Sequence, residues 1–201
     1  EGRPLLSFGR NDMWIAKYTA FGTLAWAINY GSGGDESIAD IRLDQADDIY
    51  IGGQYDATMT IGSQTLNLSG APANPRLPFL IKLNPGTGAP IWALRGNGTA
   101  FGNVQSIDID SLNRPNIVGS FFSSLNFGAI RLTNTVTSGY RAVFSANGTP
   151  VNGLPYHDDT KGIAINGNDN IYLWGDFNGN EPVGTNLLSS IGGQDTVLLK
   201  V

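Results

Sequence analysis

One register recurs three times along this chain, and it constrains the fold more than any other feature. Leu43–Tyr55 aligns without a gap on Ile109–Phe121 and again on Ile165–Phe177. Asp44, Asp110 and Asn166 are spaced by 66 and then 56 residues. The same two spacings separate Gly53, Gly119 and Gly175, and also Gly62, Gly128 and Gly184. Three markers in one register describe a structural repeat.

Each unit reads as strands. Ile41 and Leu43, Ile107 and Ile109, and Ile163 and Ile165 alternate with smaller or polar residues, the period of a half-buried strand. An Asp/Asn-rich turn follows, whose side chains bond their own backbone and tolerate φ > 0. A second strand runs through Tyr50-Ile51, Ile117-Val118 or Tyr172-Leu173 to the shared glycine. Phe79–Leu83, Arg141–Phe144 and Thr196–Lys200 give a third, and Pro90–Leu94 a fourth. Four antiparallel strands in a unit of this length make one β-propeller blade. No segment carries a useful helical period, and 27 Gly with 10 Pro in 201 residues agree with short strands and tight turns. The expected fold is all-β, built of propeller-type four-stranded antiparallel blades.

The ends of the chain repeat the interior. Met13–Lys17 resembles Val197–Lys200, and Leu24–Ala27 resembles Ile91–Leu94. The chain therefore opens with the last two strands of one blade and closes after the third strand of another. That predicts two, four, four and three strands: a single repeat domain, 1–201, of about three and a half blades. The divisions are a partial blade at 1–34, blades at 35–98 and 99–157, and a partial blade at 158–201. Propellers close with at least about four blades, so the expected chain closes as a compact ring, pairs with another copy, or adjoins further blades of a longer chain. Glu1, with neither an initiator Met nor a leader, is what a processed chain or a piece of a longer one would show.

Composition excludes several functions. With 12 basic and 17 acidic residues the net charge is −5, so the electrostatic footprint of a nucleic-acid groove is missing. No apolar run is long enough to span a membrane. Without cysteine there is no disulfide, thiolate nucleophile or thiolate metal site, and a single histidine excludes most His-rich centres. No cofactor is expected. Four lysines against abundant Asn, Ser, Thr and Gly match the surface style of exported bacterial proteins.

Asp12–Tyr18, Gly22–Ala27, Gly33–Ala39 and Asp48–Gly53 together resemble the bacterial SBBP-type β-propeller repeat. The second unit keeps Asn84–Gly88 and Ile91–Ala93, whereas the third has Val151–Leu154 where the tryptophan strand should be. The resemblance implies a propeller in an exported or cell-surface bacterial protein and brings no shared catalytic residues.

The remaining candidates have plainer readings. His157-Asp158-Asp159 could be a metal ligand set or an acid–base pair, but adjacent strand residues point to opposite faces, which favours an inter-blade turn. Asp44, Asp47, Asp48 and Asn166, Asn168, Asp169, Asn170 could offer calcium its hard oxygens, but hairpin-turn chemistry explains all of them and leaves calcium as a minor alternative for the third unit only. Asn67, Asn97 and Asn147 open glycosylation-type triplets of the kind an Asn-rich chain contains by chance. Trp14, Trp26, Trp92 and Trp174, with the repeat aromatics, suit packing between blades. Tyr55, Phe121 and Phe177, just past the second strand, are the candidates for exposed anchors of a glycan or peptide ligand. Trp14, Ile15 and Lys17 at one end, with Val197, Leu198 and Lys200 at the other, lie on strands whose edges an incomplete blade leaves open. A non-enzymatic structural or adhesive module is expected, one that self-assembles head-to-tail into rings or filaments, or a binding module if the loop aromatics are exposed.

Overall fold

The computed structural model describes residues 4–68, 76–98, 101–156, 159–183 and 185–201. Among them the fold is all-β, without a helix, and the paired strands are antiparallel. The chain order is β1 (Met13–Tyr18), β2 (Leu24–Tyr30), β3 (Glu36–Leu43), β4 (Ile49–Tyr55), β5 (Met59–Ile61), β6 (Gln64–Leu66), β7 (Leu77–Leu83), β8 (Pro90–Arg95) and β9 (Asn97–Gly98). It continues with β10 (Phe101–Gly102), β11 (Ser106–Ile109), β12 (Pro115–Phe122), β13 (Ser124–Phe127), β14 (Ile130–Thr133), β15 (Ser138–Phe144) and β16 (Pro150–Tyr156). It ends with β17 (Asp159–Ile165), β18 (Ile171–Val183) and β19 (Asn186–Lys200).

Four main sheets follow one another. The first is β1-β2, the second β3-β4-β7-β8, and the fourth β17-β18-β19. In the third, β12-β15-β16 is extended on the β12 edge by both β10 and β11. Two small units were not anticipated from the sequence: the hairpin β5-β6, and β13-β14 with β9 beside it. Their tight turns contain Gly62 and Gly128, held at φ +61° and +57°, where a side chain is disfavoured. In the fourth sheet the matching segments do not fold away as a separate hairpin. They prolong β18 and β19 into one ribbon, paired from Tyr172–Lys200 out to Val183–Asn186 with a bulge at Asn178/Asn180.

The repeated Asp/Asn residue has a local cause. Asp44 Oδ1 accepts from the amides of Ala46 and Asp48 at 2.9 and 3.0 Å. Asp110 Oδ1 does the same for Leu112 and Arg114, and Asn166 Oδ1 for Asn168 and Asn170, all at 3.0 Å. Each turn then needs a left-handed residue at its fourth position: Asp47, Asn113 and Asp169 lie at φ 63°, 56° and 57°. Asn and Asp are the non-glycine residues that best accept that conformation. An acceptor at one position and a left-handed residue three places on are the physical content of the repeat.

The cores lie between successive sheets. Met13 and Ile15 of the first sheet pack on Ile49, Ile51, Tyr55, Phe79 and Ile81 of the second, and Met59, Ile61 and Leu66 of the first hairpin close the cluster. Leu80, on the other face of the second sheet, packs with Ile117, Phe121, Tyr140 and Phe144 of the third, again sealed by hairpin residues Leu125, Phe127, Ile130 and Leu132. The third interface is thinner: Val118, Ile163 and Leu173, with Tyr156, Ile165, Ile171 and Leu199 partly buried around them. The second and third sheets thus each have one face toward their predecessor and one toward their successor, which is why β4, β7, β12 and β15 read as continuous apolar runs.

Polar links repeat with the same direction. Asn113 Oδ1 accepts from the Gln45 amide at 3.1 Å, and Asp169 Oδ1 from the Ser111 amide at 2.9 Å. Trp26 Nε1 donates to Pro85 O at 3.2 Å, and Trp92 Nε1 to Ala146 O at 3.1 Å. Asp40 Oδ2 accepts from the Ile107 amide at 2.9 Å, and Asp108 Oδ2 from that of Ile165 at 2.5 Å. The last pair satisfies strand amides of β11 and β17, and the others tie turn amides and indole N–H groups of one unit to the next.

Candidate functional site

The register that builds the interior shows what the two ends lack. Lys17 opposes Trp26 as Lys82 opposes Trp92, so β1-β2 matches β7-β8, the second half of a complete sheet. Gly175 opposes Val197 as Gly53 opposes Phe79 and Gly119 opposes Tyr140, so β19 matches β7 and β15. Lys82 lies 4.9 Å from the Tyr50 ring centroid, and Lys200 lies 5.9 Å from that of Tyr172. β7 and β15 are each paired on both sides, whereas β1 pairs only with β2 and β19 only with β18. Among the described residues β1 and β19 therefore each have no strand along the edge that is paired in β7 and β15.

Which amides face those edges follows from two bonds. The Thr19 amide donates to Thr23 O at 2.8 Å, so Ile15 and Lys17, in step with it, direct theirs toward β2 while Trp14 and Ala16 direct theirs outward. The Val201 amide donates to Ile171 O at 3.0 Å, so Val197 and Leu199 direct theirs toward β18 while Leu198 and Lys200 direct theirs to the open edge.

Of the residues proposed for assembly, Trp14 is 64% exposed and Leu198 70%, Ile15 is buried, and Val197 is half-buried. Lys17 Nζ donates to Pro85 O at 2.8 Å, so this cation is partly spent inside the chain. The faces are open as well as the edges. Trp14 and Tyr18 occupy the face of the first sheet that has no predecessor, and Trp174 and Leu198 the face of the fourth that has no successor. This corrects the expectation that all four tryptophans pack between blades: Trp26 and Trp92 do, while Trp14 and Trp174 stand 64% and 45% exposed.

The exposed-anchor expectation is overturned. Tyr55 and Phe121 are fully buried and Phe177 is 6% exposed. The second strand does not end at the shared glycine. It continues to Tyr55, Phe122 and beyond Phe177, so each aromatic sits two residues past the glycine on the core-facing side of its strand. Tyr55 packs edge-on to Phe79 at 6.5 Å, and burial pushes its hydroxyl up to about 12. Phe121 packs edge-on to Tyr140 at 6.2 Å. The alternation Ile49, Ile51, Gly53, Tyr55 was the signal available for this.

The acidic candidates are committed to structure. Lys82, itself buried, bridges Asp44 Oδ2 at 3.0 Å and Asp48 Oδ2 at 2.9 Å. Burial opposes the Asp44 charge, but the Lys82 hydrogen bond, the turn amides and the Lys82 charge together hold its carboxyl below the usual value. Burial likewise opposes the Lys82 charge, which hydrogen bonds with Tyr50, Asp48 and Asp44 hold above the usual range. Asp159 accepts from Gln105 Nε2 at 2.9 Å and from Ser120 Oγ, and pairs with Lys161 at 3.3 Å. His157 and Asp158 lie outside the described residues. No grouping of three or more potential metal ligands occurs among the described residues; of the Asx oxygens proposed for calcium, those of Asp44 and Asn166 hold turn amides, Asp48 pairs with Lys82 and Asp169 accepts from the Ser111 amide. Compared with protein-family models and with curated proteins, the chain finds a match among neither.

Proposed function

We propose that this chain is a β-propeller-type repeat module of the SBBP kind, belonging to an exported bacterial surface protein, and that its role is structural rather than enzymatic. Joining is its work: the incomplete first and fourth sheets of neighbouring copies complete one another head to tail, in a ring if the rotation closes and in a filament if it does not. The observation that carries this reading is the pair of one-sided strands, β1 and β19, at opposite ends of a series in which the matching strands β7 and β15 are paired on both sides. An unpaired apolar edge is a template for another chain. The open faces bearing Trp14 and Leu198 add apolar area beside those edges. The Asp44–Asp48 and Asn166–Asn170 turns agree with a structural role, since the Asp44 and Asn166 side chains hold turn amides.

Light scattering of the chain over a concentration series tests this. Masses at multiples of 21.3 kDa are expected, and Ala16→Pro, which removes one outward amide of β1 while leaving its bonds to β2, should return the chain to a single copy. A 21.3 kDa species at every concentration would overturn the assembly reading.

A further inference from the structure

We propose that the open side of β19 is a receptor groove for one extended segment with the sequence character of the chain's own fourth strands: proline first, then alternating aliphatic positions. The inference rests on the repeat reading but not on self-assembly. It starts from what β8 and β16 do in the two complete sheets. Each pairs along the outer edge of the strand that β19 matches, with Ile81 opposite Ala93 and Ala142 opposite Gly153. Each opens with a proline set against the turn glycine of the neighbouring hairpin: a Cβ on Gly62 would meet the Pro90 ring at 2.5 Å, and one on Gly128 the Pro150 ring at 3.1 Å. Gln64 Oε1 of the first hairpin accepts from the Ala93 amide at 2.9 Å, saturating the far side of β8. The fourth strand is thus the floor on which the hairpin lies.

In the fourth sheet no described residue occupies that place, and the consequences are visible. Where Phe79, Ile81, Tyr140 and Ala142 are fully buried, the matching Val197 and Leu199 are half-buried. They line an open, largely apolar cleft of about 210 Å³ with Tyr156, Leu173, Pro182 and Val183. The ribbon, having no such floor among the described residues, extends from the sheet and leaves Leu187 63% and Ile191 91% exposed. The groove therefore offers outward amides at Leu198 and Lys200, an apolar wall, and a hairpin-forming sequence able to close over an incoming strand. A segment of the fourth-strand type supplies what each of these lacks: backbone partners, small aliphatic side chains for the wall, and a proline for the turn.

The test is a fluorescently labelled synthetic peptide with the sequence of residues 89–96, titrated with the whole chain and followed by anisotropy. Saturable binding is expected, weakened about tenfold or more by scrambling the peptide. Leu198→Pro should abolish binding while leaving the circular dichroism and thermal unfolding of the chain unchanged, and Leu198→Thr should retain it, because only the proline removes the amide. Ala16→Pro should leave peptide binding intact, which separates this groove from assembly through β1. If the chain assembles, excess peptide should also dissociate it. Equal binding by scrambled peptide, or full binding by Leu198→Pro, overturns the proposal. So does an assembling chain that the peptide neither binds nor dissociates, since β1 of another copy would then be the partner of β19 and the assembly reading would stand alone. Peptide binding by a chain that never assembles would leave the groove standing and remove the assembly reading.

Discussion

Asp44 joins the turn and the buried charge cluster through one carboxylate: Oδ1 holds two turn amides, and Oδ2 meets Lys82. Asp44→Ala should therefore cost more than a surface ion pair, about 3 kcal/mol, because it leaves buried Lys82 with Asp48 as its one carboxylate partner; urea unfolding measures this. The pH dependence follows from the direction of the shift. The fold lowers the Asp44 pKa from its ordinary 3.8, so the stabilisation is complete above that value and is lost as the pH falls through the lower, folded one. Unfolding midpoints should drop on acidification below 3.8, and Lys82→Met, which removes the main cationic partner, should shrink that drop. Asn113 separates two roles. Asn113→Gly keeps the left-handed backbone but deletes the acceptor for the Gln45 amide, at about 1 kcal/mol, while Asn113→Ala should lose that and the conformation too. Comparing the two melts isolates the inter-sheet bond.

The same hairpin segment has two fates, decided by its surroundings. As β13-β14 it buries Leu125, Phe127 and Leu132, and as the outer half of the β18-β19 ribbon it is largely exposed. Phe127→Ala should destabilise the chain by about 3–5 kcal/mol, whereas Ile191→Ser should change it by less than about 0.5 kcal/mol, as thermal or urea denaturation would show. The hairpins also mark where sequence reading reached its limit. Period-2 patterns and the Asp/Asn turns located β3, β4, β7, β8, β12 and β15, because those signals are local. Gly62 and Gly128 were visible as markers, but strands of three or four residues have too few alternations to be recognised. The burial of Tyr55, Phe121 and Phe177 was misjudged for the same reason. Once the glycine is taken as the end of the strand, the next aromatic looks like loop, whereas the strand continues past it and, for Tyr55 and Phe121, the following hairpin closes over it. The open edges of β1 and β19, by contrast, were legible from the likeness of the two ends to the interior.

Across the whole molecule, each sheet is stabilised by its neighbours in sequence, so stability should be graded along the series. Native-state amide exchange should be slowest in β4, β7, β12 and β15, which lie inside sheets and between sheets. It should be fastest in β2 and in the outer half of β19, and equal protection throughout would contradict this gradation. The turn and tryptophan links between sheets run one way, while the Asp40 and Asp108 links run the other. A later unit's Asn113 or Asp169 accepts from an earlier unit's turn amide, and an earlier unit's Trp26 or Trp92 donates to a later unit's carbonyl. At the near end Asp47 holds the same left-handed position with an exposed carboxylate, and at the far end Gly167 stands where Gln45 and Ser111 offer their amides. The series thus has polarity, with an acceptor at its head and a donor at its tail. Anything built by continuing it would have two chemically unlike ends, would elongate from them at different rates, and could be stopped at one by a cap that leaves the other growing.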